Sequence, residues 1–401
     1  MNKRLTAGIL ALLLIVLMLA GCSSSQSAKR WESLDSAEFV PTEVTEPSDK
    51  SETDDLLPSA RTTETAGTAT DPTVPTQNTS DVLPEGSSFE VHFIDVGQGD
   101  AALVLCDGQA MLIDGGEATA SSKIYAYLKN HQVNYLDYIV ATHAHSDHIG
   151  GLSGALNYAM VGTALCPVTD YDSKTFNSFV KYLGRQNVAI TVPQAGGTFS
   201  LGSAAVQVLA PQKAYEEPND TSIVLKISYG EISFLFTGDA ERTAEDDILD
   251  VGYDLSATVL KVGHHGSDTS TSYPFLREIM PEYAVISVGA DNPYGHPTEA
   301  TLSRLRDAGA AVYRTDLQGT IICTSDGERV TFQTEKNENA QTNPTIPPDS
   351  QEAVEYIGNK NSKKFHLPTC PNLPAEKNRV FFDSRQQAVD AGFDPCGNCK
   401  P

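Results

Sequence analysis

The sequence predicts an α/β domain with a two-sheet core covered by helices, and three observations support this. Short apolar, β-branched segments recur through the middle of the chain, and amphipathic helical stretches interrupt them. Polar side chains stand where several strands end, most densely in residues 142–151. Two polar segments rich in Ser, Thr, Pro and acidic residues flank this part of the chain. The pattern therefore places a layered α/β domain at residues 88–334.

The first 22 residues have the pattern of an export signal. Lys3 and Arg4 precede an apolar run from Leu5 to Met18, and small residues then lead to Cys22. The run is shorter than the roughly 20 apolar residues that a spanning helix needs. The segment resembles a bacterial lipoprotein signal, which implies lipidation of Cys22 and a place on the extracytoplasmic face of the cell membrane. A plain signal peptide or a single spanning helix is the alternative.

Residues 23–87 are predicted to form a disordered tether. They are rich in Ser, Thr, Pro, Asp and Glu, and they cannot bury enough apolar surface to offset the entropy lost on ordering. The chain has a formal net charge of −24, and much of the acidic excess lies in this segment. An acidic surface repels nucleic acid through bulk electrostatics, but the tether's charge says little about the domain that follows.

Within residues 88–334 the apolar periodicity predicts each element in order. In the first half, segments with β-branched residues end at Gly- and Asp-rich turns and are read as strands, and an amphipathic stretch is read as a helix. These are strands Val91–Val96, Ala101–Cys106, Ala110–Ile113 and Leu136–Ala141, with a helix at Lys123–His131.

The second half continues the same alternation. Helices are expected at Phe176–Gln186, Arg242–Leu249 and Thr298–Ala308. Strands are expected at Val206–Leu209, in a hairpin of Ser222–Ser228 with Ile232–Thr237, at Ala257–Val262, at Tyr283–Val288, and in three segments of residues 312–334.

The densest chemical signal lies at the end of the strand that closes at residue 141. His143, His145, Asp147 and His148 fall within six consecutive positions and are followed by a Gly pair. His143 and His145 alternate in an extended loop and can point the same way, whereas Asp147 and His148 can serve a second ion. Four such groups without a ligand would leave buried polar atoms unsatisfied. The loop therefore indicates metal-assisted hydrolysis.

This string resembles the signature of the metallo-β-lactamase fold, a four-layer αββα sandwich with ligands at strand ends. The resemblance implies that Asp114 braces the histidine loop, Asp239 bridges two ions and His296 completes the second site. It implies two divalent ions, zinc or manganese, one on His143, His145 and Asp239, and the other on Asp147, His148, Asp239 and His296.

One departure concerns the histidines after the loop. Many members of that fold carry a further histidine before the bridging aspartate, but this chain has none from Ile149 through Gly238. The first ion then lacks a ligand, unless His264 or His265 supplies it. The pair can also be structural, with one ring buried and the other exposed. In the functional interpretation one of them, with His265 preferred, stabilises charge or donates a proton, while Asp147 or Asp239 orients the nucleophile.

Two nearby polar residues leave their roles open. Asp100 can line the site or cap a turn. Lys261 lies inside a predicted strand, and we expect it to be a solvated charge at the strand edge.

Three further stretches, residues 93–101, 219–222 and 260–267, resemble the soluble hydrolase domain of ComEC-type DNA-uptake competence proteins. That resemblance spans roughly residues 89–334. It implies a metal-dependent phosphodiester hydrolase, most directly a nuclease acting on DNA. The alternatives are a phosphodiesterase acting on a cell-wall or lipid phosphodiester, and a non-catalytic DNA-binding surface lipoprotein. Protein partners are not indicated.

A second linker, residues 335–352, leads to a short α+β module at residues 353–401. His366, Cys370, Cys396 and Cys399 supply four ligands for a closed zinc site, which a unit of this size needs because its core is small. A disulfide between the last two cysteines is the alternative. The module resembles the zinc-binding domain of the Ada DNA-repair protein, and its interleaved bases and aromatic residues suggest a nucleic-acid contact.

Overall fold

The computed structural model describes residues 83–344, 356–368, 370–382 and 385–399. The predicted signal, Cys22 and nearly all of the tether lie outside these residues and stay predictions. Among the residues described, no helix is both long and apolar enough to cross a lipid bilayer.

The first of two large sheets contains the histidine-loop strand. Its eight strands, numbered along the chain, are β1 (Phe89–Phe93), β2 (Ala102–Cys106), β3 (Gln109–Ile113), β4 (Tyr135–Val140), β5 (Met160–Leu165), β6 (Ile190–Thr191), β14 (Ile321–Ser325) and β15 (Val330–Thr334). Their spatial order is β15-β14-β1-β2-β3-β4-β5-β6. Neighbours from β3 to β6 run parallel, so their carboxyl ends meet at one edge of the sheet.

The second sheet has seven strands in the order β13-β12-β11-β10-β9-β8-β7. They are β7 (Thr198–Leu201), β8 (Ala204–Ala210), β9 (Val224–Tyr229), β10 (Ile232–Phe236), β11 (Val259–Lys261), β12 (Tyr283–Ile286) and β13 (Ala311–Arg314). The neighbours from β10 to β13 are parallel, and this again gathers their carboxyl ends at one edge.

Helices cover the outer face of each sheet. The first sheet is covered by α1 (Ser121–Asn130), α2 (Ser146–Ile149), α3 (Leu152–Tyr158) and α4 (Lys174–Arg185). The second sheet is covered by α5 (Arg242–Val251), α6 (Tyr273–Ile279) and α7 (Glu299–Asp307), and α8 (Thr315–Gln318) follows β13.

Alternation along the strands produces the layers. On β4, Ile139 packs against the helices, whereas Val140 packs between the sheets. Between the sheets, the rings of Phe93 and Phe236 stack at a centroid distance of 5.9 Å. The result is four layers, helix, sheet, sheet and helix, and it confirms the predicted αββα sandwich.

All the strands and helices expected from the sequence of residues 88–334 are present, with ends shifted by a few residues. The sequence analysis missed the helices α2, α6 and α8 and the strands β5, β6 and β7. The β5 segment reads Met-Val-Gly-Thr-Ala-Leu and starts at Met160, whose side chain is exposed, so it lacks the apolar alternation that identifies a strand.

Ordered contacts continue beyond both predicted domain boundaries. Leu83 packs against the core between the sheets. Asn343 accepts a hydrogen bond from Arg306 at 2.6 Å and donates one to the Leu302 carbonyl at 3.1 Å. Parts of both predicted linkers therefore belong to the folded unit.

The C-terminal module is a four-stranded sheet with one helix. It consists of β16 (Tyr356–Asn359), β17 (Lys364–His366), β18 (Arg379–Phe382), helix α9 (Arg385–Asp390) and β19 (Asp394–Pro395), in the strand order β18-β16-β17-β19. Its buried apolar cluster contains only Phe365, Phe382, Ala388 and Phe393 among the residues described. So small a core is consistent with the predicted need for a metal staple.

The contact between α1 and α3 generates a testable prediction about Gly154. A Cβ atom at this position would lie 1.9 Å from the Ser121 carbonyl oxygen, so alanine would force the two helices apart. We expect Gly154→Ala to lower the free energy of unfolding by about 3 kcal/mol. Gly184→Ala in α4 is the matched control, because a Cβ there meets no atom within 4 Å, and we expect it to be neutral or slightly stabilising. Urea unfolding followed by circular dichroism measures both, and equal losses would contradict the prediction.

Candidate metal centre

The candidate site forms where the carboxyl ends of the parallel strands from both sheets meet. The loop after β4 supplies the histidine cluster, the loop after β10 supplies Asp239, and the loops after β11 and β12 supply the later histidines. A pocket of about 270 Å³ opens there, lined by Gln98, His145, Ser146, Asp147, Asn219, Asp239, His264, His265, Tyr294 and His296. The fold thus brings together residues that are far apart in the chain.

Asp114, at the end of β3, holds the histidine loop in place. Its fully buried carboxylate accepts hydrogen bonds from the Thr142 amide at 2.8 Å and the Thr142 hydroxyl at 2.7 Å. It also lies 2.8 Å from His148 Nδ1. Because an ionised carboxylate only accepts, Nδ1 carries a hydrogen, and Nε2 points into the site, where it can bind a metal ion once its own proton is lost. This geometry matches the bracing role that the resemblance implies.

His265 is held in the same way. Its Nδ1 lies 3.0 Å from the Ser287 carbonyl oxygen and 3.1 Å from an Asp100 carboxylate oxygen, both acceptors. Its Nε2 therefore faces the site, 3.3 Å from Asp147 Oδ2 and 3.6 Å from Asp239 Oδ2. His148 Nε2 lies 3.2 Å from the same Asp239 oxygen.

These side chains fit a divalent ion. Asp147, His148, Asp239 and His265 each offer one ligand atom, and the four atoms lie within 4.8 Å of one another. Within the described part of the chain, His148 Nε2, His265 Nε2 and Asp239 Oδ1 are buried without a hydrogen-bond partner. Such atoms are costly unless something binds them. Imidazole nitrogen with carboxylate oxygen suits zinc or manganese.

His143 lies beside the same Asp239 carboxylate and next to His148, with the two ring centroids 4.1 Å apart. His143 Nε2 is 3.9 Å from Asp239 Oδ2 and 3.1 Å from His145 Nδ1. His143 is fully buried, whereas His145 lines the pocket. Asp239 Oδ2 is thus close to the imidazoles of His143, His148 and His265, an arrangement that suits a carboxylate shared by two ions.

His264 and His296 occupy the rim of the pocket. Their ring centroids are 5.7 Å apart, and His264 Nε2 lies 3.7 Å from Asp239 Oδ2. The structure brings His265, rather than His296, into the four-residue group with Asp147. The resemblance implied His296 for the ion on Asp147 and left His264 or His265 for the other ion or for catalysis. The sequence could not fix these distances, because each histidine sits on a loop whose direction depends on the tertiary fold.

Opposing charges outweigh burial at Asp239, His148 and His265, whereas burial prevails at His143 and lowers its pKa well below 6.5. Burial disfavours ionised Asp239, yet His148 and His265 hold its pKa well below the usual value. Burial also lowers the pKa of His148, but Asp239 and Asp114 raise it well above 6.5. For His265, Asp239 and Asp100 raise the pKa to about 10 against burial. A divalent ion competes with the protons on these rings, so its binding releases protons and weakens in acid.

Lys261 and Asp100 form a buried pair behind His265. Lys261 is only 4% exposed, and its Nζ lies 2.7 Å from Asp100 Oδ2. The expectation of a solvated edge charge was therefore wrong, because both faces of β11 are covered. The sequence did contain a sign of this burial: Lys261 lies in an otherwise apolar strand, two residues before the Gly-His-His-Gly run of residues 263–266. The Asp100 carboxylate faces Nδ1 of His265 and thereby orients the imidazole ring.

Glu241 is a further polar residue that the sequence analysis missed. Its Oε1 accepts hydrogen bonds from Asn219 Nδ2 and from the Thr269 hydroxyl, each at 3.1 Å. The same oxygen lies 3.2 Å from His264 Nδ1. Glu241 therefore fixes the His264 ring, as Asp114 and Asp100 fix the other two.

The C-terminal module holds a second ligand group. His366, Cys370, Cys396 and Cys399 each place one ligand atom within 4.8 Å of the others. Cys370 Sγ lies 3.3 Å from His366 Nδ1 and 4.0 Å from Cys396 Sγ. All described cysteines are free thiols, so Cys396 and Cys399 are not joined. One imidazole and three thiols are a donor set that fits a closed tetrahedral metal site.

Comparison with known families agrees with both sites. Residues 94–290 match the model described as the metallo-beta-lactamase superfamily, and residues 349–401 match the metal binding domain of Ada. A solved metallo-beta-lactamase fold protein, YhfI from Bacillus subtilis, aligns with 14% identity and a TM-score of 0.41 over 59% of this chain and all of that one.

Two curated relatives align with the hydrolase domain, and one of them is a competence protein by name. ComE operon protein 3 of Bacillus subtilis is 31% identical over 254 residues, 59% of this chain and 33% of that protein. Competence protein ComA of Neisseria gonorrhoeae is 33% identical over 244 residues, 60% of this chain and 33% of that protein. The chain thus spans about a third of the length of these relatives. The matches confirm the resemblances to the competence-type hydrolase domain and to the Ada module.

The bracing role of Asp114 predicts a change in metal affinity. We expect Asp114→Asn to weaken binding of the divalent ion by roughly 10- to 100-fold, because an amide NH₂ can face His148 Nδ1 and no longer fixes the ring. Asp137→Asn makes the same chemical change in β4, where the side chain accepts from the Ala110 amide at 2.8 Å, and should leave affinity unchanged. Chelator competition measures both variants. Equal affinities of wild type and Asp114→Asn would contradict the role.

Proposed function

We propose, since residues 94–290 match the model of the metallo-beta-lactamase superfamily, that this chain is a lipid-anchored, metal-dependent phosphodiester hydrolase, specifically a nuclease acting on DNA. The observation that carries the hydrolase assignment is the convergence of His148, His265 and Asp147 on the buried Asp239 carboxylate. The similarity to competence proteins supports DNA as the substrate class.

The pocket suits a phosphodiester. Its volume of about 270 Å³ accommodates one phosphodiester group and part of its neighbours, and it is open to solvent on one side. Among the described residues that line it, none is lysine or arginine. The charge of a bound phosphate must therefore be neutralised by the divalent ions that the carboxylates and imidazoles hold.

A bound divalent ion supplies Lewis acidity for a phosphoryl oxygen and makes water acidic enough to act as a nucleophile near neutral pH. The chain's own residues supply orientation. The Asp147 side chain is 24% exposed, and it accepts a hydrogen bond from the attacking water and aims it at phosphorus. Asp100 and Lys261 keep His265 fixed behind it.

His264 is the residue placed to protonate the leaving oxygen. Its side chain is 22% exposed, whereas that of His265 is only 2% exposed and faces Asp147 and Asp239. Glu241 holds the His264 ring by Nδ1, so the doubly protonated ring can give its Nε2 proton to the leaving oxygen. We therefore assign to His264 the proton-donating role for which the sequence analysis preferred His265.

The two flanking regions set where the enzyme works and what it contacts. In this proposal Cys22 carries the lipid anchor, and the tether holds the domain away from the extracytoplasmic face of the membrane. The C-terminal module binds one structural zinc through His366, Cys370, Cys396 and Cys399 and provides a nucleic-acid contact.

Hydrolysis should depend on the histidine loop. We expect His145→Ala or Asp147→Ala to lower the rate of phosphodiester cleavage by at least about a thousandfold, because each change removes a ligand or the group that orients the nucleophile. His131→Ala removes an exposed histidine outside the pocket and should leave the rate unchanged. The assay uses purified protein with Mn²⁺ or Zn²⁺ on single- and double-stranded DNA and on bis-p-nitrophenyl phosphate, with circular dichroism to verify folding.

Three results of that assay would contradict the proposal in different ways. Full activity of Asp147→Ala would contradict the proposed site. Cleavage of the small ester without cleavage of DNA would favour a cell-wall or lipid phosphodiester as the substrate. DNA binding without any hydrolysis by the wild type would favour a surface lipoprotein that captures DNA.

The C-terminal ligand group predicts a zinc stoichiometry. We expect Cys396→Ser to lose one zinc per chain and to melt at a lower temperature, because the module's small core depends on the metal. Cys106→Ser removes a buried thiol in β2 and should retain the zinc. Mass spectrometry of bound metal and thiol counting after chelation test this. Unchanged zinc in Cys396→Ser, with two unreactive thiols in the wild type, would show the disulfide instead.

A further inference from the structure

Tyr294 presents an aromatic ring at the edge of the metal-binding pocket. The residue is 66% exposed, yet it lines the same pocket as Asp147 and His265. Its ring stacks on His296, with centroids 5.8 Å apart and planes inclined by 28°. A large, solvated ring beside a reaction centre is a surface on which another flat group can stack.

The loop around Tyr294 is held by one side chain. Asn292 Nδ2 donates to the carbonyl oxygens of Gly289 at 3.0 Å and of His296 at 2.6 Å. Asn292 Oδ1 accepts from the amides of Tyr294 at 3.2 Å and of His296 at 3.0 Å. These four bonds fix the backbone on both sides of the tyrosine, so a ligand that stacks there pays less ordering entropy.

The residues around the pocket favour substrate binding by uncharged groups rather than by lysine or arginine. No described lining residue is a lysine or arginine, so the side chains of the pocket attract a polyanion only weakly. Stacking on an aromatic ring needs no positive charge and tolerates any base, because every base has a π face. Gln98 and Asn219 line the same pocket and offer neutral amide groups to polar base edges.

We infer that Tyr294 is the stacking platform for the nucleobase next to the scissile phosphate, so the pocket rim is a nucleoside subsite. This inference rests on the proposed nuclease function and extends it. In this arrangement the divalent ions bind the phosphate, and the Tyr294 ring stacks on the flanking base. Stacking accounts for affinity without specifying sequence.

The experiment combines a protein variant with a substrate that lacks the base. Wild type and Tyr294→Ala are assayed on an oligonucleotide whose cleavage position has been mapped, and on the same oligonucleotide with abasic sites flanking that position. We expect Tyr294→Ala to raise KM roughly tenfold on the intact strand. Removing the bases should raise the wild-type KM by a similar factor. The KM of Tyr294→Ala on the abasic strand should exceed the KM after either single change by less than about twofold.

Matched variants separate stacking from other effects. Tyr294→Phe keeps the ring and should keep the wild-type KM. Tyr135→Ala removes a ring that is 50% exposed at the start of β4, the opposite end of that strand from His143, and should leave KM unchanged. Metal content and melting temperature of Tyr294→Ala should equal those of the wild type, because Tyr294 is not among the ligand atoms.

The outcomes separate this inference from the function on which it rests. A wild-type KM in Tyr294→Ala, or an equal rise in KM on intact and abasic strands, would overturn the stacking role while leaving the nuclease intact. Glycerophosphocholine is assayed in parallel. If Tyr294→Ala changes KM only for that ester, the ring recognises a quaternary ammonium group and the inference is wrong. If the wild type cleaves neither oligonucleotide, the proposed function fails and the stacking role falls with it.

Discussion

The buried carboxylate of Asp239 is the constraint around which the rest of the site is organised. It is 2% exposed, and its Oδ2 lies 3.2 Å from His148 Nε2, 3.6 Å from His265 Nε2, 3.7 Å from His264 Nε2 and 3.9 Å from His143 Nε2. A charge in so apolar an interior is tolerated only when it is paired. The imidazoles come from loops of both sheets, so the pairing also fixes how the edges of the two sheets meet.

Three histidines of the site are each oriented by a carboxylate. His148 faces Asp114, His265 faces Asp100 and His264 faces Glu241, in each case through Nδ1, which leaves Nε2 for the site. A carboxylate in this position selects the tautomer and holds the plane of the ring. Burial then separates the roles, because His148 and His265 are closed to solvent among ligand atoms, whereas the partly exposed His264 can meet a substrate.

The C-terminal module is tied to the same region. Arg385 of α9 donates to the Tyr273 hydroxyl at 2.6 Å and pairs with Asp307, and Tyr273 begins α6 just after the loop of His264 and His265. Arg304 holds that loop from the other side, donating to the carbonyls of Ser270 at 2.7 Å and Thr271 at 2.8 Å. Because the module's own apolar core is small, its fold depends on its ligand group and on this contact.

The sequence by itself determined the order of the elements, the histidine loop and the four ligands of the C-terminal module, because periodicity and short ligand spacings are local properties. It did not identify β5, whose glycine and threonine hide the alternation, or the burial of Lys261, which depends on a sheet covered on both faces. Only the tertiary structure decided that His265 joins Asp147 and His148 while His296 stays at the rim. Those residues lie on separate loops, and the distances between loops are set by how the two sheets pack.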